Sequence, residues 1–492
     1  MRPRLSNATL ADLPTNVRRP QYDRSALKTG VFHIGLGAFH RAHQAPLFQA
    51  LAEQGDLRWG VIGASLQSPS VRDILAPQNF LYTLAIDDGD VRDISVIDVM
   101  RGALVAPEDP SRLVPGIASS VVKIVTVTVT EKGYKLDASG ALAVNDNAVA
   151  SDMASLDAPT TMPGILAAGL LERRRRGLPP LTIISCDNIA ANGPKLRSSV
   201  TQIAGAHDRS GADWIRQNCA FPATMVDRIV PATHEADIEA ISAHIGATDC
   251  ATVRTEPFSQ WVIENRFAGE RPDFEAAGAQ IANDIAPWEQ AKLRLLNGAH
   301  STMAYVGVLA SITTVDRFVA QPWGRGLVER LWDEVSPTLS TSPGLDIGQY
   351  RRTLMKRFGN SALGHRLQQI AMDGSQKLPQ RLVGPALELI DRGRPYATVA
   401  FAIAAWIRCQ SGRSDCGGHF RVEDPLASTT ARLSVSITDP KELAAAMLGL
   451  EAIFPPRLAR DDAFVSQVAS HLDAFQRLGA KAATERFLGA GR

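Results

Sequence analysis

Hydrophobic and polar positions recur along this chain with two different periods. From 30 to 55, GVFHIGLGAFHRAHQAPLFQALAEQG runs as a short apolar segment, a glycine turn and an amphipathic stretch ending near Gly55. That order predicts a strand, a tight turn and a helix. Strand-like runs follow at Trp59 to Ala64, Val121 to Thr130 and Leu181 to Cys186, separated by segments able to hold helices. Strands joined by long crossovers predict an α/β layer with a doubly wound, largely parallel sheet. Beyond about residue 285 helical patterns dominate, as in WEQAKLRLLNGAHSTMAYVGVL, WGRGLVERLWDEV and TVAFAIAAWIRC. A mostly α-helical second domain is expected over 286–492, after an N-terminal domain over 1–285.

Length and composition fit that division. At 492 residues, the chain exceeds what one core usually serves. Its 45% hydrophobic and 21% charged residues are the balance of a folded chain. With 52 Lys and Arg against 51 Asp and Glu, no long-range field favours nucleic acid or an anionic membrane. The opening MRPRLSNATLADLP lacks the apolar centre of a signal peptide, and no apolar run reaches membrane-spanning length; a cytoplasmic enzyme is expected. The five cysteines form no CxxC pair, which argues against a disulfide framework or a zinc ribbon. Arg173 to Arg176 read as a solvated helix end. Gly344 to Gly348 and Gly412 to Gly418 read as loops.

The glycine turn carries the first chemistry. Gly35, Gly37, Ala38 and Phe39 sit directly between strand and helix, where paired glycines let the backbone approach a pyrophosphate and a helix start offers free N–H groups. The third glycine of the dinucleotide fingerprint is replaced by His40. Arg41 follows, with its basic side chain expected near the phosphates. His40 and His43 are spaced to share a metal, but no third ligand lies nearby, and no metal site is expected. The second strand, WGVIGASL, runs into Gln67-Ser68-Pro69-Ser70 without the acid that would bond a ribose 2′-hydroxyl, and Arg72 is the nearest cation for a 2′-phosphate. The pattern leaves NAD and NADP both open.

A second cluster lies in WEQAKLRLLNGAH. On a helical wheel with Lys292 at zero, Glu289 falls at about 60°, His300 at about 80° and Asn297 at about 140°. One side of a helix would therefore present all four. Oxidation of a secondary alcohol needs a base for the hydroxyl proton and donors for the developing oxygen charge; burial could lower the lysine's proton affinity enough to make it that base. The same spacing also suits an ordinary surface ion pair.

Taken together, GLGAFHRAHQA (35–45), LAPQNFLYTL (75–84), VTVTEKGY (127–134), SCDNIAANG (185–193), FPATMVDRIVPAT (221–233), KLRLLNGAHS (292–301) and DGSQKLPQR (373–381) resemble the mannitol dehydrogenase family of polyol-specific long-chain dehydrogenases and reductases. The resemblance implies a Rossmann-type N-terminal domain, a helical C-terminal domain, a cleft site, an NAD or NADP cofactor with NAD favoured, and no catalytic zinc. It implies Lys292 as general base, and Asn188 with Asn297 as the amides holding the reacting oxygen. His300 would orient substrate and Glu289 relay the proton. Asp227, Lys377 and Arg381 would contact substrate, and Thr130 and Glu131 would join the glycine turn at the cofactor.

The implied substrate is a polyol or hexonate, interconverted with its ketose or ketouronate, as in mannitol 2-dehydrogenase or fructuronate reductase. EKGY and DGSQKLPQR resemble the hexuronate branch more closely. A carboxylate substrate would want a further cation, for which Arg381, Arg366 and Arg228 are the candidates. Two other classes compete: a dinucleotide-binding sensor without turnover, and a zinc alcohol dehydrogenase, whose ligand spacing this chain lacks. A monomer or homodimer is expected, with no nucleic-acid or membrane partner.

Overall fold

The computed structural model describes residues 2–137 and 139–490. The chain divides into two compact units, Met1–Ile285 and Ala286–Arg492.

In the first unit, five strands form one parallel sheet: β1 (Val31–Ile34), β2 (Val61–Ser65), β3 (Met100–Val105), β4 (Ile124–Val127) and β5 (Thr182–Ser185), in the order β3-β2-β1-β4-β5. Strands covered on both faces read as continuous apolar runs; every residue of β1, β4 and β5 is buried. His33, inside β1, is tolerated because its ring nitrogens meet Thr126 Oγ1 at 2.8 Å, Thr128 Oγ1 at 3.0 Å and Gly35 O at 3.1 Å, which offsets the cost of burying an imidazole. Strand order reverses between β1 and β4, and ligands of such sheets bind at the carboxyl ends beside that reversal.

Three expectations need correction here. The run Val121 to Thr130 is strand only over Ile124–Val127, because Thr130 turns to φ 67°. The stretch between Ala64 and Val121 is richer in strand than expected: Tyr82–Asp88 and Val91–Ile97 form an antiparallel hairpin, turned by Asp88-Gly89-Asp90 with Gly89 at φ 63°. Asp88 still pairs with Val91, so the loop is the two residues Gly89-Asp90, and glycine first in a two-residue loop is a hairpin signal. And Arg173 is 1% exposed, donating to the carbonyls of Pro179, Ile117 and Ser119; only its three successors belong to the solvated helix end.

In the second unit, helix α2 (Ala286–Ala291) leads into a π-turn over Lys292–Asn297 and then into α3 (Gly298–Leu309). All twelve residues of α3 are buried, the polar His300, Ser301 and Thr302 of its first turns included, which makes it the central helix of its unit. It packs beside α4 (Ala397–Cys409), which packs against α5 (Asp462–Gly489). A second π-turn, Pro379–Val383, lies against the first. The Gly412–Gly418 stretch is a loop as expected; Gly348 instead lies inside the helix Ile347–Phe358.

Candidate active site

In the first unit the site begins at the carboxyl end of β1. Gly35 sits at φ 99°, and a Cβ there would lie 1.9 Å from Thr128 O. Only glycine allows the β1 and β4 loops to approach so closely. Gly37 is different: the nearest atom to its would-be Cβ is Gly35 O at 3.8 Å, so its surroundings are open and match a cradle for a pyrophosphate. Helix α1 (Ala38–Ala42) starts there, and its first-turn N–H groups have no intrahelical acceptors.

Arg41 does not join them. It is 7% exposed, its guanidinium donates to Ala251 O and lies 5.6 Å from the Tyr82 ring centroid, so the expected phosphate contact is corrected to an interior anchor. Position on the helix explains this, since Arg41 lies with His40 and Ala42 on its buried side. His40 stacks on His33 with centroids 3.4 Å apart, and burial holds both imidazoles below their usual proton affinity, His33 at about 3. His43 meets Gln260 O at 2.9 Å. Neither histidine joins a metal set, and no group of three or more candidate ligands gathers among the described residues. Arg72, the cation nearest the second strand, is paired with Asp73 and Glu108.

The loops after β4 and β5 complete this end. Thr128 Oγ1 donates to Gly35 O at 2.7 Å. Thr130 is exposed, and Glu131 opens a short 3-10 turn, Glu131–Tyr134. Asn188 is exposed one residue beyond Asp187, whose carboxylate accepts from Val129 N, Thr130 N and the Tyr134 hydroxyl. Asp187 drew no notice in the sequence; an acid inside SCDN has no periodicity to mark it. Asp227 is buried at the end of strand β6 (Thr224–Asp227), paired in register with Gln260. Arg228 is engaged by Ala42 O and Glu256 O, which removes it from the candidates for a substrate carboxylate.

In the second unit, Lys292 opens the π-turn and Asn297 closes it. The regular wheel is thus interrupted between Lys292 and His300, a correction to the assumed α-geometry; single π-turns widen a helix locally and recur at functional sites. The carbonyl of Leu295 in this turn is taken by Trp332 Nε1 at 2.8 Å. Lys292 is 9% and His300 7% exposed, while Glu289 and Asn297 are half-buried.

Arg381, from the second π-turn, donates to Ser301 Oγ at 3.1 Å and reaches Asn297 O at 3.5 Å. It thereby stands on the wall that carries Asn297 and His300. Gly298 makes room: a Cβ there would lie 3.3 Å from Arg381 O. Burial, then the neighbouring His365, Arg381 and Arg357, hold His300 neutral, and its Nε2 is buried without a hydrogen-bond partner. Lys377 donates to Met372 O and to Ile370 O at 3.3 Å, and burial followed by Arg381 lowers its proton affinity. Arg366 is exposed and lines, with Gln369, Cys416 and His419, a separate cavity of about 720 Å³.

A doubly wound sheet with a glycine turn at its switch point, joined in one chain to a helical unit that sets buried Lys292 and His300 beside half-buried Asn297, is the architecture of a Rossmann-type dehydrogenase. Family models place the chain within that class: the Mannitol dehydrogenase Rossmann domain matches residues 29–276 and the Mannitol dehydrogenase C-terminal domain residues 284–476. The chain belongs to the mannitol dehydrogenase family of oxidoreductases. It is 37% identical to D-mannonate oxidoreductase of Escherichia coli (strain K12), over 97% of this chain and 99% of that one. It is 36% identical to mannitol 2-dehydrogenase of Pyrenophora tritici-repentis, over 98% and 86% respectively. A solved structure of Pseudomonas fluorescens mannitol 2-dehydrogenase, a ternary complex with NAD and D-mannitol, is similar at TM-score 0.85 and 32% identity, covering 99% of both chains. No helix among the described residues is long and apolar enough to cross a membrane.

Proposed function

We propose that this chain interconverts a hexonate and its ketouronate, or the related polyol and ketose, using NAD, with a lysine rather than a metal-bound oxygen handling the proton. The observation that supports it best is the wall built by the two π-turns, where Asn297, His300 and the Arg381 guanidinium stand together around a buried lysine helix. In this reading Lys292 takes the hydroxyl proton, since burial disfavours its charged form. Asn188 and Asn297 donate N–H groups to the oxygen, stabilising its developing negative charge. Neutral His300 uses its unpartnered Nε2 to orient a substrate hydroxyl, and Glu289 passes the proton outward. Asp227, Lys377 and Arg381 hold the remainder of the substrate. The nicotinamide, bound with its phosphates over Gly35, Gly37, Ala38 and Phe39 and beside Thr130 and Glu131, supplies or accepts the hydride.

The charge balance of the second unit favours a carboxylate-bearing substrate. Arg381, Lys377 and Arg357 all act on this wall, and a guanidinium suits bidentate carboxylate binding. NAD is favoured because Glu108 and Asp73 neutralise Arg72 and would repel a 2′-phosphate. The decisive assay follows NADH and NADPH oxidation with fructose, fructuronate, tagaturonate and xylulose. Faster turnover of a ketouronate than of fructose, with NADH preferred, is expected; no reduction of any of the four overturns the reading.

A further inference from the structure

Thr130 occupies φ 67°, ψ 165°, a region that is essentially glycine's own and strains any residue that carries a side chain. Such a conformation persists only where neighbours enforce it. Here the enforcing group is Asp187, whose Oδ1 accepts from Thr130 N at 3.0 Å and from Val129 N at 3.0 Å. Its Oδ2 accepts from the Tyr134 hydroxyl at 2.9 Å, and that hydroxyl also meets Ser185 Oγ. One carboxylate therefore ties the loop after β4 to the loop after β5. The β4 loop is in turn locked to the glycine turn, through Thr128 Oγ1 to Gly35 O and Thr128 N to Ile34 O. All three loops lie at the carboxyl ends of adjacent strands, on the side of the reversal where a dinucleotide binds.

We infer that Asp187 is a positioning residue: it holds Thr130 in its strained conformation beside the dinucleotide site and fixes the loop that carries Asn188. This rests on the dehydrogenase reading above for what the loops contact. Asp187 acts through these loops, its carboxylate oxygens being taken by protein donors. Its carboxylate has two backbone N–H groups and one hydroxyl to satisfy, so removing it leaves those donors unmatched and the strain at Thr130 unopposed.

The test is a set of four variants measured by NADH fluorescence titration and by steady-state kinetics. Asp187→Ala is expected to weaken NADH binding about tenfold or more and to lower kcat at saturating coenzyme. Asp187→Asn should bind NADH nearly as the parent does, because its carbonyl oxygen can serve both backbone donors and its amide can donate to Tyr134. Thr130→Gly alone is the reference for the double variant, since it removes whatever the Thr130 side chain contributes beside the coenzyme. The Asp187→Ala/Thr130→Gly double variant should bind NADH about as well as Thr130→Gly alone, because glycine adopts the conformation without help. A merely structural carboxylate predicts the same loss in both backgrounds. The inference fails if Asp187→Ala binds NADH like the parent, or if Asp187→Ala costs as much NADH affinity in the Thr130→Gly background as in the parent. A parent chain that binds neither NADH nor NADPH overturns the dehydrogenase reading instead, and this inference with it.

Discussion

Gly35 and Gly37 look interchangeable in the sequence, yet their surroundings separate them. Gly35→Ala would drive a methyl into Thr128 O at a backbone angle that L-residues rarely adopt, so both thermal stability and NADH affinity should fall. Gly37→Ala meets no protein atom closer than 3.8 Å; its melting temperature should stay near the parent's while NADH affinity drops, a split that titration and thermal melts would reveal. Equal loss of stability in both variants would remove Gly37 from the pyrophosphate cradle. Lys292→Ala should retain NADH binding and lose about 10²- to 10⁴-fold in turnover at neutral pH, the usual worth of a general base. Near-parental turnover would end its assignment.

At the scale of elements, the two π-turns matter more than the helix they interrupt. A regular α-helix through Lys292 and Asn297 would carry its next residues at another phase, and the opposing π-turn places Arg381 against this one. Gly298 faces the backbone of that second turn. Gly298→Ala gains about 1 kcal/mol of helix propensity but puts a methyl 3.3 Å from Arg381 O. The expected outcome is a melting temperature at or above the parent's together with a several-fold loss of kcat/KM, largest for the carboxylate substrate. Unchanged kinetics would show that the Arg381 segment yields freely.

For the whole molecule, buried neutral imidazoles set the response to acid. His33, His40, His300, His365 and His471 all bind protons less readily than a free histidine because burial disfavours the imidazolium. The unfolded chain protonates them near 6.5, whereas folded His33 does so only at about 3. Between those values the unfolded state holds more protons, so the imidazole contribution is complete above pH 6.5 and is lost as pH falls. For His33 alone the loss at pH 5 is about 2 kcal/mol. Asp98, pushed up to about 6 by burial, acts in the opposite direction and offsets part of that loss. Melting temperatures measured from pH 7.5 to 4.5 should fall below 6.5 in the parent and more shallowly in His33→Gln, even where that variant lowers the plateau. An identical slope in the variant would contradict the role given to His33.

Much of this protein is legible from residue order because its signals are local. The strand, glycine turn and helix at 30–55 need only periodicity and glycine's conformational freedom, and the family motifs lie in short contiguous strings. The hairpin at Tyr82–Ile97 was marked by its Gly89-Asp90 loop and could have been read. Other features depend on what packs against what. Arg41 and Arg228 look like phosphate or carboxylate ligands until their guanidinium groups are found on interior carbonyls, because a sequence specifies a charge but not the direction in which a buried side chain is turned. The π-turn over Lys292–Asn297 replaces a helix that the sequence alone draws as regular, and the role of Asp187 arises only when β4 and β5 lie side by side. Sequence by itself determined the sheet, the turn and the kind of chemistry, since those follow from local propensity; tertiary structure decided which cations stay available and which loop is held under strain, since those follow from contacts between segments far apart in the chain.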